Sequence, residues 1–122
     1  MKVVQKPWGR EEIWAHTDKY VGKYLFIDPG KRLSRQYHVK KEETIRVLEG
    51  TLLLEVGLGD EIVLRRLPVG QTFHVTPGTV HRFCAEESPV VLVEVSTPEI
   101  DDVVRLADDF SRNCQTAAQT GY

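Results

Sequence analysis

Cysteine is scarce in this chain of 122 residues: only Cys84 and Cys114 occur. A core of this size does not need a cross-link, so a reduced cytoplasmic setting is the simplest expectation. Methionine occurs once and alanine only five times, which counts against a helical bundle. No apolar run approaches the roughly 20 residues that a membrane span requires. The opening stretch MKVVQKPWGREEIW has no long apolar segment of the secretory kind, so no leader is expected. Charge of one sign is also missing. Sixteen Lys and Arg against eighteen Asp and Glu leave −2, with no basic run, which argues against nucleic acid as a partner.

What is present favours strands. There are 16 Val, 5 Ile and 9 Thr, whose branched side chains suit a pleated surface better than a helix. Glycine and proline cut the chain into short segments, with turns at Asp28-Pro29-Gly30, Glu49-Gly50, 57–60, 68–70, Pro77-Gly78 and Ser88-Pro89. Between them lie runs at 20–27, 33–39, 44–48, 51–56, 61–67, 71–75, 81–86 and 90–96. Short strands at this spacing predict an all-β sandwich or barrel. One segment departs from the pattern. Residues 98–110 carry apolar side chains at 100, 103, 104, 106 and 110 behind Pro98 and an acidic first turn, which predicts a short C-terminal helix. The organisation expected is a single domain over 1–112, beginning with an arm, and a flexible polar tail over 113–122.

Chemistry concentrates in two blocks. In GKRLSRQYHVKKEETIRVLEG, Gln36 and His38 lie two apart on a predicted strand and share a face. Glu43 opens the next strand and faces the same interior if the two pair. In GQTFHVTPGTVH, His81 follows a Pro-Gly turn, with Phe83 and Ala85 in phase with it. Two imidazoles, a carboxylate and an amide oxygen converging in a barrel suit one divalent transition metal, Zn, Mn, Fe, Ni or Co, with coordination positions left open. His74 is out of phase with Phe73 and Val75 and reads as outward. His16, in AHTDK, reads as solvated. Trp8 and Trp14 read as packing anchors for the arm.

These blocks resemble the two motifs of the cupins, G-x5-H-x-H-x3,4-E-x6-G and G-x5-P-x-G-x2-H-x3-N. Gly30, His38, Glu43 and Gly50 keep the first, with Gln36 in the place of its first His. Gly70, Gly78 and His81 keep the second, with Thr76 and Ala85 at its Pro and Asn. The resemblance implies a double-stranded β-helix, a jelly-roll barrel, and metal ligation by Gln36, His38, Glu43 and His81. A narrower resemblance runs from about Lys6 to Arg112. KPWG, LSRQYH, the His81-Arg82 pair and EVSTPEIDDVVRLADDFSR are similar to type II mannose-6-phosphate isomerases, the cupin part of bifunctional mannose-1-phosphate guanylyltransferases. There it implies a metal-dependent aldose–ketose isomerase with a phosphosugar substrate, a homodimer, and no nucleotide-sugar synthesis from this stretch.

Glu43 would serve as ligand and as catalytic base, since no second inward carboxylate stands out. Lys23, Arg82 and Arg105 align with cations of that pattern and are the candidate phosphate binders. The competing reading of each is an ion pair with one of the eighteen carboxylates. Lys40, Thr44, Ile45 and Ala85 depart from the family near the substrate pocket. Two alternatives remain: a cupin that binds a sugar or small molecule without turnover, and an iron-dependent dioxygenase.

Overall fold

The computed structural model describes residues 1–112; the expectations for 113–122, and any pairing of Cys84 with Cys114, lie outside the described residues. Eleven strands are present among them: β1 Lys2–Lys6, β2 Gly9–His16, β3 Val21–Ile27, β4 Arg35–Tyr37, β5 Glu43–Glu49, β6 Leu52–Leu58, β7 Glu61–Leu67, β8 Thr72–Val75, β9 His81–Cys84, β10 Val90–Ser96 and β11 Val104–Ala107. They form two antiparallel sheets, ordered β1-β2-β3-β10-β5-β8 and β11-β4-β9-β6-β7. The sheets face each other across one core, the double-stranded β-helix expected. No helix among the described residues is long and apolar enough to cross a membrane.

Alternation in the sequence sets the inner faces. Val90, Leu92, Glu94 and Ser96 are buried along β10, and Val21, Lys23, Leu25 and Ile27 along β3. Along both strands one end is apolar and the other charged. Ile27, Leu25, Leu92 and Val47 meet Leu52, Leu54 and Phe83 of the facing sheet in the core. Lys23 pairs with Glu94, and Glu94 with Ile45, one step towards the open end. The turn between β5 and β6 needs glycine: Gly50 has φ 75°, and a Cβ there would lie 2.3 Å from the Pro89 carbonyl oxygen.

One expectation is made specific and one is corrected. The N-terminal arm is a β-hairpin, β1 paired with β2 from Lys2↔Ile13 to Lys6↔Gly9, which extends the first sheet. Its Trp8 is in the core at 2% exposure, whereas Trp14 lies half out on the outer face against Tyr24. The C-terminal helix is absent. Residues 98–103 turn, and β11 pairs with β4 through Val104↔Tyr37 and Arg105↔Gln36. The physical reason is tertiary. Strand β4 has three residues and would otherwise be an open edge, so β11 satisfies its backbone groups. The Asp102 carboxylate also accepts backbone N–H bonds from Val39, Lys40 and Lys41, which a helix over this segment would forgo.

Candidate metal centre

Both sheets contribute to one cluster at the charged end of the barrel. His81 stands at the start of β9, Glu43 at the start of β5, and His38 just after β4. One ligand atom from each lies within 4.8 Å of the others, and all three side chains are buried. Sequence spacing alone does not set this distance. It follows from two strand starts, on opposite sheets, reaching the same end of the barrel.

The hydrogen bonds fix the tautomers. Nδ1 of His38 faces the Asp102 carbonyl oxygen, and Nδ1 of His81 the Thr79 carbonyl oxygen at 2.8 Å. A carbonyl only accepts, so each Nδ1 carries a proton, and in the neutral ring Nε2 holds a lone pair. Both Nε2 atoms face Glu43 Oε1, at 2.9 Å from His38 and 3.4 Å from His81. When both rings are neutral, three lone-pair donors, the two Nε2 atoms and Glu43 Oε1, face one another. His81 Nε2 and Glu43 Oε2 are also buried without a hydrogen-bond partner. Buried polar atoms are normally satisfied, and a divalent cation would satisfy these. The residues fit the metal that the motif implies.

Around Glu43 lies a charge cluster that the sequence reading missed. Glu94 is 2% exposed, and Lys41 Nζ lies 3.1 Å from Glu94 Oε2 and 3.9 Å from Glu43 Oε2. Lys23 Nζ lies 3.0 Å from Glu11 Oε2 and 3.8 Å from Glu94. A second inward carboxylate therefore exists beside Glu43. Its signal was present in VVLVEVS, where Glu94 falls in phase with the buried Val90 and Leu92. Burial pushes the Glu94 carboxyl up, the charge of Glu43 pushes it further, and it reaches about 8. Burial also opposes ionisation of Glu43. The side chains of Glu94, His38 and His81 beside it and the nearby Lys41 charge outweigh it, holding Glu43 well below the usual carboxylate range. With Glu94 neutral, two ammonium groups balance two carboxylates, which is how such a group tolerates burial.

This has a measurable consequence. Glu94 keeps its proton in the folded chain up to about pH 8, whereas in the unfolded chain it loses it near the ordinary carboxyl value of 4.5. The folded state binds more protons in that window, so stability from this group falls as pH rises from about 4.5 to 8. In metal-free protein, Glu94→Gln should flatten the decline by at most about 1.4 kcal/mol per pH unit. Urea unfolding at several pH values measures it; parallel curves for the two proteins would contradict the assignment.

The other sequence candidates fall in different places. A cavity of about 620 Å³ opens over the cluster, lined by Gln36, His38, Lys23, Lys41 and Arg105 among others. Gln36 pairs with His81 across the strands, and its Oε1 accepts a 2.7 Å bond from Ser34 Oγ. Arg105 pairs with Gln36 and lies on the cavity wall. Lys23 reaches the cavity but is held by Glu11 and Glu94. Arg82 does not line it. Next to His81 on a strand, it takes the opposite face, where its Nε donates to the Leu33 carbonyl oxygen at 2.8 Å and its guanidinium meets Asp109 at 3.3 Å. His74 points outward, paired with Glu42 at the surface. His16 is exposed on the cavity rim.

Comparison with known proteins places the chain in a family and supports its fold. The chain is 33% identical over 115 residues to a mannose-1-phosphate guanylyltransferase of Escherichia coli K12, covering 89% of this chain and 23% of that protein. It is 28% identical over 120 residues to one of Sinorhizobium fredii NGR234, covering 95% and 23%. The chain thus spans under a quarter of the length of these curated relatives. Among solved structures, KdgF from Halomonas sp. superposes with a TM-score of 0.71 at 22% identity, over 83% of this chain and 91% of that one, a likeness of fold. Residues 1–108 match the family described as Mannose-6-phosphate isomerase C-terminal, and the chain belongs to that family.

Proposed function

We propose that this chain is a metal-dependent aldose–ketose isomerase acting on a phosphosugar, with mannose 6-phosphate the first substrate to try. The observation that carries the reading is the buried convergence of His38 Nε2, His81 Nε2 and Glu43 Oε1 beneath an open cavity. His38, Glu43 and His81 would hold one divalent ion, with Gln36 as a fourth ligand. Such an ion supplies a Lewis acid that stabilises charge developing on a carbonyl oxygen.

The chain's own residues do the rest. The Asp102 and Thr79 carbonyls hold the two imidazoles in one tautomer and orientation. Aldose–ketose conversion moves a proton between C2 and C1, so it needs a proton acceptor beside the bound sugar. Glu43, next to the imidazoles and held well below the usual carboxylate range, is the acceptor, with the buried Glu94 behind it. Lys41 lines the cavity and balances the pair's charge.

Purified protein loaded in turn with Zn, Mn, Fe, Ni and Co should convert mannose 6-phosphate to fructose 6-phosphate with at least one ion. Chelation should abolish the activity, and Glu43→Gln should lower it by about a hundredfold or more. Fully loaded protein that makes no ketose phosphate from mannose 6-phosphate or other hexose phosphates would sink the isomerase reading.

A further inference from the structure

The charged lining of the cavity divides into two regions. On its floor the charges cancel internally: Lys23 with Glu11, and Lys41 with the Glu43 and Glu94 pair. The Asp102 carboxylate is occupied by three backbone N–H groups, and Arg112 by Asp108. The β1 side differs. Lys2 and Lys6 lie two strand steps either side of Val4, so all three share the face that lines the cavity. Neither lysine has an ion pair or side-chain hydrogen bond among the described residues.

Lys6 is the better built of the two. Its strand ends in the turn Pro7-Trp8, where Trp8 is buried in the core and its carbonyl accepts the Asp28 N–H at 2.9 Å. Lys6 then pairs with Gly9, which sits so close to β3 that a Cβ there would lie 1.8 Å from the Phe26 carbonyl oxygen. The backbone carrying Lys6 is therefore anchored from both sides, while its half-buried stem ends in a positive group without a counter-ion. A flexible ammonium of this kind is a point-charge donor suited to a phosphate oxygen.

We propose that Lys6, assisted by Lys2, binds the phosphate monoester of the substrate, with the sugar end directed to the floor at His38 and Gln36. This rests on the phosphosugar reading above and shifts the phosphate contact away from Lys23 and Arg82, which the fold engages elsewhere.

Calorimetry on the metal-loaded full chain tests it, with mannose 6-phosphate, mannose and inorganic phosphate as probes of wild type, Lys6→Ala and Lys6→Arg. Lys6→Ala should weaken mannose 6-phosphate binding by about tenfold or more, in a salt-dependent way, and leave mannose binding unchanged. Lys6→Arg should stay within about threefold of wild type. Inorganic phosphate should compete with mannose 6-phosphate in wild type and less so in Lys6→Ala. Wild-type affinity in Lys6→Ala, equal loss for mannose and its phosphate, or no binding of mannose 6-phosphate by wild type would each overturn the assignment. Lys6-dependent binding without conversion to fructose 6-phosphate would sink the isomerase reading and leave this one standing.

Discussion

His81→Ala should lower divalent-metal affinity by about a hundredfold and remove turnover with it. Site-wide binding free energies of about 10–16 kcal/mol for four-ligand zinc sites put each ligand at about 3 kcal/mol, or two decades in affinity. The fold should survive. His81 Nε2 is a buried atom without a hydrogen-bond partner, so its removal relieves one cost while the lost ring leaves a cavity. Glu43 would retain Lys41 and the neutral Glu94 as neighbours. Elemental analysis after dialysis, with thermal unfolding of the metal-free protein, reads both outcomes. A full metal complement with unchanged affinity would show that the metal lies elsewhere. His16→Ala, on the exposed rim, serves as the control and should change neither quantity.

Lys41→Met should destabilise the metal-free protein by about 3 kcal/mol or more, because it breaks a buried charge cluster from one side. Lys41 is 5% exposed and faces Glu94 at 3.1 Å and Glu43 at 3.9 Å, so its loss leaves the buried Glu43 charge without its nearest ammonium, with Lys23 reaching only Glu94 of the pair, at 3.8 Å. A divalent ion at His38, Glu43 and His81 restores positive charge next to Glu43. The same metal should therefore raise the melting temperature of Lys41→Met more than that of wild type. Urea unfolding with and without metal measures this. A loss below about 1 kcal/mol, or an equal metal effect in both proteins, would show that Lys41 does not balance the pair.

Much of this protein was legible in its sequence. Period-two alternation placed His38, His81 and Phe83 on inner faces, and the fixed gaps from Gly30 to Gly50 and Gly70 to His81 marked the residues that the fold draws together. The same alternation already implied that Arg82 points away from His81, although its alignment with a family arginine suggested otherwise. Glu94 was readable too, as a charged residue in phase with Val90 and Leu92.

What only the tertiary structure decided depends on pairing between segments distant in the chain. Residues 98–110 satisfy a helical spacing as well as a strand, and the choice fell to the unpaired edge of β4 and to Asp102 capping the 39–41 backbone. The partnership of Lys23 and Lys41 with Glu11, Glu43 and Glu94 follows from cross-strand register, which no local pattern contains. The free charge of Lys6 emerges the same way. The carboxylates Glu11 and Glu94 are engaged by Lys23 and Lys41, while Lys6 has no ion pair among the described residues. Local sequence determines which face a side chain takes, since that depends on backbone geometry within a few residues. Which charges remain to meet a ligand is settled by long-range contacts, since Coulomb energy in a desolvated cavity depends on every neighbour within several ångströms.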